Sequence, residues 1–313
     1  MNETVSTFYP VVIPTLNRYE HLRRCIESLV RNTHAEQTEL VVGLDFPPAE
    51  KYVEGHRRIK EYLPTVSGFK KVTVFEHEKN LGSTGNCHVL QDYVYANYDA
   101  MIFSEDDNEF APCFLDYMNK CLNHFKGNPR IASVSAFLPQ VYHGLTDRRL
   151  LFTLESNAWG MGTWRNETPP EAERGIMARS VLSSFRSSWK SFTSFPASFR
   201  MLLNMAGKGI TWGDVARTQV NILQDRYQVR PSVTLCRNWG NDGSGIHCKV
   251  VNDTDQQSVS QERLFQFTEA DAEPIYLPQT ARATRLHNLP KGRCRRMLKL
   301  CWTAVLYLKY RLS

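Results

Sequence analysis

Three consecutive carboxylates are the feature of the sequence best suited to carry chemistry. Glu105, Asp106 and Asp107 directly follow an apolar run at residues 100–104. Adjacent negative charges repel one another, and a hard divalent cation with oxygen ligands, Mn²⁺ or Mg²⁺, is the usual partner that relieves this repulsion. The open positions of such a cation accept phosphate oxygens, so the triplet predicts a metal-assisted phosphate site. A solvated acidic turn is the alternative interpretation.

The residues around the triplet predict the elements that must position it. Apolar runs at 8–14 and 39–45 are typical of buried strands, and apolar residues at helical spacing lie between them. The same alternation continues through 71–76 and 100–104. We therefore predict an α/β fold with a single open, mostly parallel sheet flanked by helices. Ligands of such sheets bind beyond the carboxyl ends of the strands, which is where the triplet lies.

A second acid and a glycine-containing loop also follow predicted strands. Asp45 can accept hydrogen bonds from a nucleobase or a ribose, with capping of the turn before Pro47 as the alternative role. The loop at 80–86 contains Gly82, which lets backbone N–H groups approach a ligand. This loop matches neither GxGxxG nor GxxxxGKS/T. Rossmann dinucleotide enzymes and P-loop NTPases are therefore excluded.

Two later stretches combine aromatic rings with turn-forming residues. Trp159 and Gly160 open the stretch 159–165, where an aromatic face can pack against a sugar and glycine permits a close backbone approach. Tryptophan buried in the core is the alternative explanation. The stretch 238–248 contains His247, which can contact a diphosphate or a metal. A lone histidine more often has a structural role.

The composition and the distribution of charge exclude several classes of protein. Of 38 Lys and Arg residues seven lie in 291–313, which leaves 31 basic against 32 acidic residues and a nearly neutral body. No basic face remains for nucleic acid, which excludes that partner. The eight cysteines form no CxxC pair, no apolar run reaches the length of a membrane span, and the first residues lack a basic export signal. We expect a soluble, cytoplasmic protein.

The basic C-terminal segment predicts an amphipathic helix at 294–308. Its apolar face carries Leu298, Cys301, Trp302, Val305 and Leu308. We predict that residues 291–313 form a unit separate from a domain at 1–290, peripheral on the inner face of the cytoplasmic membrane. A helix docked on the domain with a solvated basic face is the alternative.

The order of these motifs resembles the GT-A glycosyltransferases of family 2. The resemblance rests on residues 12–18, Asp45, 80–82 and 105–107, and it spans roughly residues 8–250. The Glu-Asp-Asp triplet also resembles the metal motif of the N-acetylglucosaminyltransferase I group. The stretches that begin at Trp159 and Asn238 are similar to the WGWxTW and NxGxDGSGxHC motifs of bacterial family 2-like transferases.

The resemblance implies a nucleotide-sugar donor, a UDP-sugar before other donors, together with Mn²⁺ or Mg²⁺ and an inverting displacement. It implies that Asp107 is the main metal ligand and that Asp45 binds the base or the ribose. The other residues that it assigns to the donor are Pro14, Thr15, Asn17, Arg18, Asn80, Gly82, Asn86, Glu105, Asp106, Trp159, Gly160 and His247.

An inverting transferase needs a carboxylate that deprotonates the acceptor hydroxyl. By analogy the residue for this role is Asp214, with Asp242 and Glu155 as rivals. The stretch after Trp159 reads Gly-Met-Gly where the family offers Gly-Trp-Ala, so the chain departs from the family pattern there.

We therefore predict a metal-dependent, inverting glycosyltransferase that acts in cell-surface polysaccharide synthesis. Its acceptor would be a glycan or a lipid-linked glycan at the inner face of a bacterial membrane. A nucleotidyltransferase of related layout is one alternative, although such enzymes carry a Gly-rich basic loop after the first strand and residues 15–18 are not one. A nucleotide- or glycan-binding protein without turnover is the other.

Overall fold

The computed structural model describes residues 7–165, 167, 171–209, 211–243 and 258–312. In these residues the strands are β1 Val11–Thr15, β2 Glu39–Leu44, β3 Lys71–Glu76, β4 Ala100–Phe103, β5 Asn108–Phe110, β6 Ile131–Ser135, β7 Leu150–Thr153, β8 Met161–Trp164, β9 Tyr227–Pro231 and β10 Cys236–Asn238. The helices are α1 Tyr19–Val30, α2 Val53–Tyr62, α3 Gly82–Asn97, α4 Phe114–His124, α5 Glu171–Ser183, α6 Phe185–Ser194, α7 Pro196–Lys208, α8 Gly213–Gln224, α9 Glu269–Ala272, α10 Pro278–Leu286 and α11 Arg293–Leu312.

One open, mixed sheet organises the molecule, in the order β3-β2-β1-β4-β8-β6-β9-β7. β1 lies parallel to β2 and to β4, with Val11 opposite Leu40 on one side and Ile102 on the other. β2 and β3 are parallel, as are β6 and β9, whereas β8 runs antiparallel between β4 and β6. β7 closes the far edge antiparallel to β9. The predicted α/β fold with a single open, mostly parallel sheet is confirmed.

The central strands are apolar throughout because helices cover both of their faces. Successive side chains of a strand point to opposite faces, and here each face has its own core. Val11 and Ile13 belong to the main core, which also contains the apolar stripe of α1. Val12 packs on the other face with Leu90 and Val94 of α3. A continuous apolar run is therefore the pattern that this sheet requires.

A two-stranded antiparallel ribbon lies beside the main sheet. It pairs β5 with β10, and Asn108 lies opposite Asn238. β5 begins immediately after the acidic triplet, so the ribbon brings residues near 238 to the same place as residues 105–107. This pairing connects the two halves of the chain at the end of β4.

A helical layer forms a second core in the C-terminal half. Buried residues of α5, α7 and α8 pack together, and Leu306, Tyr307 and Tyr310 of α11 pack against them. The predicted C-terminal helix is present and extends beyond 294–308 in both directions. Within the described parts of the chain, no helix is long and apolar enough to cross a membrane. The division of the chain at residue 290 stays a prediction.

Gly160 provides a test of packing where the sheet meets the ribbon. Its φ is +61°, and an added Cβ would lie 2.8 Å from Cε1 of Phe110 and 3.0 Å from Cε2 of Phe114. We expect Gly160→Ala to lower the free energy of unfolding by about 2–5 kcal/mol, because left-handed strain and overpacking act together. Urea unfolding measures the change.

Gly144→Ala is the matched control. Gly144 has a φ of +65°, but nothing lies within 4 Å of its added Cβ. It therefore reports the backbone strain alone, about 1–2 kcal/mol. Equal losses in the two variants would contradict the packing argument.

Candidate active site

The acidic triplet lies in the turn between β4 and β5, next to the end of β1. Oγ1 of Thr15 donates a hydrogen bond to Oδ2 of Asp106 at 2.8 Å. The Arg18 guanidinium pairs with Asp106 through Nη2 and with Asp107 through Nη1, the latter at 2.7 Å. Both aspartates are buried. The first β–α loop and the β4–β5 turn therefore form one charged cluster, with Arg18 between the two aspartates.

Asn238, at the end of β10, holds Asp107 from the other side. Its Nδ2 donates to Oδ1 of Asp107 at 2.6 Å, and its Oδ1 accepts a hydrogen bond from the Gly240 N–H at 2.9 Å. The Trp239 N–H donates to the carbonyl of Asp107 at 2.8 Å. A Cβ on Gly240 would lie 2.2 Å from Oδ2 of Asp107, so only glycine fits there.

The sequence analysis assigned no role to Asn238 and Gly240, and the structure adds them to the site. The available signal was their match to the first two fixed positions of the NxGxDGSGxHC motif, from which only His247 was chosen as a site residue. His247 lies outside the described residues.

The cluster carries more negative charge than its neighbours balance. Burial raises the pKa of Glu105 to about 8, and the charges of Asp107 and Asp214 add to this effect. Burial also raises the pKa of Asp106, against the opposing charge of Arg18. Two buried aspartates and the partly buried Glu105 thus share the charge of a single guanidinium, and a further cation would relieve the remaining repulsion.

The chemistry of these side chains fits a hard divalent cation. Glu105, Asp106 and Asp107 offer carboxylate oxygens, the ligands that Mn²⁺ and Mg²⁺ prefer. In the described part of the chain no group of three or more acidic, His or Cys side chains is already arranged around one point. Asp106 and Asp107 instead converge on Arg18. A cation would therefore share or replace the contacts of this guanidinium.

Asp45 connects the end of β2 to the start of α3. Its carboxylate accepts hydrogen bonds from Nδ2 of Asn80 at 3.1 Å, from the Leu81 N–H at 2.8 Å and from the Phe46 N–H at 2.9 Å. Its own N–H donates to the carbonyl of Thr15 at 2.9 Å. Asp45 therefore orders the loop beside the acidic cluster, and a carboxylate can accept further bonds. Its contact with a base or ribose stays a prediction.

Asn86 holds α3 against β2. Its Nδ2 donates to the carbonyl of Gly43 at 2.8 Å, and its Oδ1 lies 3.0 Å from Nε2 of His77. A Cβ on Gly43 would lie 2.0 Å from this Oδ1, so the fit is tight. The side chain is buried, with protein partners for both of its polar atoms.

Three further residues assigned to the donor lie in β1, in the loop after β1 and at the start of α3. Pro14 pairs with Gly43 across β1 and β2. The carbonyl of Asn17 accepts a hydrogen bond from the Tyr19 N–H at 3.1 Å. Gly82 begins α3 with a φ of +69°. These positions surround the same edge of the sheet as the acidic cluster.

Trp159 and Gly160 lie at the beginning of β8. The Trp159 ring makes an edge contact with Phe137 at 4.6 Å between centroids, and the backbone N–H of Trp159 donates to Oδ1 of Asn157 at 2.7 Å. Trp159 is only partly buried in the main core. The core-packing alternative therefore explains part of this stretch. A sugar contact by the remaining surface of the ring stays a prediction.

The three candidate bases have different surroundings. Asp214 lies in the first turn of α8, pairs with Arg217, has a side chain that is 47% exposed and acts electrostatically on Glu105. Asp242 is equally exposed and lies 3.2 Å from Nε2 of His21. Both acids are open to solvent, but only Asp214 is among the charges that raise the pKa of Glu105.

Glu155 belongs to a buried structural network. Its Oε2 accepts a hydrogen bond from the Tyr142 hydroxyl at 2.8 Å and lies 2.9 Å from Nδ1 of His287. Burial alone would raise the pKa of Glu155, but His287 and the nearby Arg230 lower it below its usual range. Arg230 is fully buried and donates to the carbonyl of Glu155 at 3.0 Å. This network joins β7, β9 and α10.

Comparison with solved structures gives remote similarities. The 1–349 fragment of S. aureus TarS in complex with UDP-GlcNAc is 12% identical, over 74% of this chain and 58% of that chain, with a TM-score of 0.39. The mannosyltransferase PcManGT from Pyrobaculum calidifontis, in complex with GDP-Man and Mn²⁺, is 12% identical over 70% of this chain and 71% of that chain, with a TM-score of 0.39. The chain spans a quarter of a longer S. aureus TarS structure, at 15% identity over 48% of this chain and a TM-score of 0.33. No curated protein sequence matches significantly.

Comparison of the sequence with models of protein families identifies the family of this chain. The model of glycosyl transferase family 2 matches residues 11–174, more than half of the 313 residues. The matched region begins with β1 and includes Asp45, the acidic triplet and the Trp159 stretch. The chain therefore belongs to glycosyl transferase family 2.

Proposed function

We propose that the protein is a metal-dependent, inverting glycosyltransferase that takes its sugar from a nucleotide-sugar donor, a UDP-sugar before other donors. The observation that carries this proposal is the pair of buried aspartates held by one guanidinium, with the partly buried Glu105 beside them, at the edge of the sheet where ligands bind. Its excess negative charge supports a divalent cation, and the family supports sugar transfer.

Each residue of the cluster has a role in this proposal. Asp107 would be the main ligand of Mn²⁺ or Mg²⁺, with Asp106 and Glu105 in support. When bound, the cation would stabilise negative charge on the departing diphosphate. Arg18, whose side chain is 21% exposed, would give up part of its contact with the aspartates and face the phosphates. Asn238 would keep the Asp107 carboxylate in place.

Asp214 would be the general base. Its carboxylate is accessible to an acceptor hydroxyl and acts on the same site as Glu105, whereas Glu155 is held by Tyr142 and His287. Deprotonation of the hydroxyl as it attacks the sugar carbon is the task of the base in an inverting displacement. The acceptor would be a glycan or a lipid-linked glycan, in polysaccharide synthesis at the inner face of a bacterial membrane.

A thermal-shift experiment tests the donor and the metal together. UDP, GDP, CMP and dTDP are each added with Mn²⁺ or with EDTA to wild-type protein and to Asp107→Asn. We expect one nucleotide with Mn²⁺ to stabilise the wild type by about 2.7 kcal/mol at a hundred times its dissociation constant, and Asp107→Asn to lose this stabilisation. Asp225→Asn is the control, because the Asp225 side chain is 74% exposed and forms an ion pair with Lys190 on the surface. If the nucleotide stabilised the wild type as much in EDTA as with Mn²⁺, this result would contradict the proposed metal site.

Substitution of Asp214 tests the base. We expect Asp214→Asn to lower kcat about 10²–10⁴-fold while nucleotide binding stays unchanged, because general-base catalysis contributes this much. Asp242→Asn is the matched control, since the two side chains have equal exposure. Steady-state kinetics and the nucleotide thermal shift measure the two properties separately. A loss of kcat in Asp242→Asn instead would transfer the role to Asp242.

Substitution of Arg18 tests the charge balance of the cluster. Arg18→Met leaves two buried aspartates without their cation, so we expect a loss of about 2–4 kcal/mol in the free energy of unfolding without metal. Added Mn²⁺ should then stabilise Arg18→Met more than the wild type. Arg57→Met is the control, since the pairs of Arg57 with Glu54 and Glu61 are exposed to solvent. No loss of stability in Arg18→Met would contradict the proposed balance.

A further inference from the structure

The helix α11 has two apolar faces, and among the residues that the structure describes one of these faces is covered and the other is exposed. Thr303 is buried, and Leu306, Tyr307 and Tyr310 pack on the helical layer. The opposite side carries large apolar side chains that are each more than half exposed. These are Met297, Leu298, Trp302, Val305, Leu308 and Leu312. We call this set the outer face of α11, and it includes four of the five apolar residues predicted to share a face.

Positive charges flank the outer face. Residues 291–312 include seven Lys and Arg residues and no acidic residue. At 100° per residue, Arg295 and Lys309 lie along one side of the outer face and Arg293 lies along the other. The apolar surface is thus bordered by cations and has no acidic side chain on its own helix.

An exposed aromatic pair lies close to the end of this helix. The Tyr307 hydroxyl donates to the carbonyl of Leu182 at 3.4 Å, which places α11 beside the connection between α5 and α6. Phe185 begins α6, and its ring stacks on Trp189 at 6.3 Å between centroids. The two side chains are 70% and 59% exposed. Aromatic rings of this kind favour the interface between headgroups and acyl chains.

We propose that the outer face of α11, together with Phe185 and Trp189, docks on an anionic lipid bilayer and lies in the plane of its interface. The apolar side chains would enter the boundary between headgroups and acyl chains, and the flanking cations would meet the anionic headgroups. A symmetric contact with a second copy is disfavoured, because it would place two sets of positive charges against each other.

This docking surface deepens the proposed function, which places the enzyme at a membrane. Lipid binding requires neither donor nor metal, so the two proposals can fail separately. The helix contacts the layer that also contains α8, whose first turn carries Asp214. A bilayer under α11 would therefore bind the same rigid layer that supplies the proposed base.

Vesicle flotation of the full chain tests the surface. We expect the wild type to float with phosphatidylcholine vesicles that contain phosphatidylglycerol and to remain unbound with phosphatidylcholine alone. Leu298→Glu/Val305→Glu should lower the binding more than tenfold. Val233→Glu/Leu264→Glu is the matched control, because these side chains are 51% and 49% exposed elsewhere on the protein. The control should bind as the wild type does.

A variant that removes two positive charges of α11 tests the electrostatic contribution to vesicle binding. Arg295→Gln/Lys309→Gln should weaken binding to the anionic vesicles about 25-fold, about fivefold for each charge removed. Thermal unfolding and the nucleotide shift are measured on every variant, so that a loss of fold or of donor binding is recognised separately.

Several outcomes would overturn the proposal. They are no flotation of the wild type, equal binding to neutral vesicles, or unchanged binding of Leu298→Glu/Val305→Glu. A dimer in solution that this double variant dissociates, without any binding to vesicles, would assign the outer face to a second copy and would also overturn it.

Discussion

The contact between Arg18 and the two aspartates of the β4–β5 turn is the interaction on which the site depends. Asp106 and Asp107 are buried, and a buried carboxylate without a partner is costly. Because β1 and β4 are neighbours in the sheet, the loop after β1 can supply Thr15 and Arg18 to this turn. The order of the strands therefore makes the burial of the acids possible.

The charge balance also explains why the site needs chain segments from both halves of the sequence. Arg18 leaves Oδ1 of Asp107 to Asn238, and the short ribbon of β5 and β10 brings Asn238 into position. Gly240 then permits the backbone to pass the same carboxylate. The pKa of Glu105 is raised, first by burial and then by the charges of the neighbouring carboxylates, which Arg18 offsets only in part. A site with more carboxylates than cationic partners is suited to bind a metal ion together with phosphates.

The helical layer of the C-terminal half contains both the helix with the proposed base and the helix with the exposed apolar face. Its inner packing includes Val215 and Ala216 of α8, the helix whose first turn carries Asp214. Its outer surface carries α11, where one apolar face satisfies the core and the other remains exposed. A surface helix usually exposes polar side chains opposite its apolar face, whereas α11 exposes six large apolar side chains there. This exposed face is the surface that the proposed bilayer contact would cover.

The sequence by itself determined the sheet, the position of the acidic triplet and the C-terminal helix. These features follow from local patterns: apolar runs form buried strands, a triplet that follows a strand lies at the edge of the sheet, and helical spacing extends over many residues. The same patterns did not reveal the role of Asn238, the buried network around Glu155 or which face of α11 contacts the protein. Asn238 and Asp107 are 131 positions apart in the sequence. Only the tertiary structure decided these contacts, because periodicity describes which face of an element is apolar and says nothing of which distant side chain meets it.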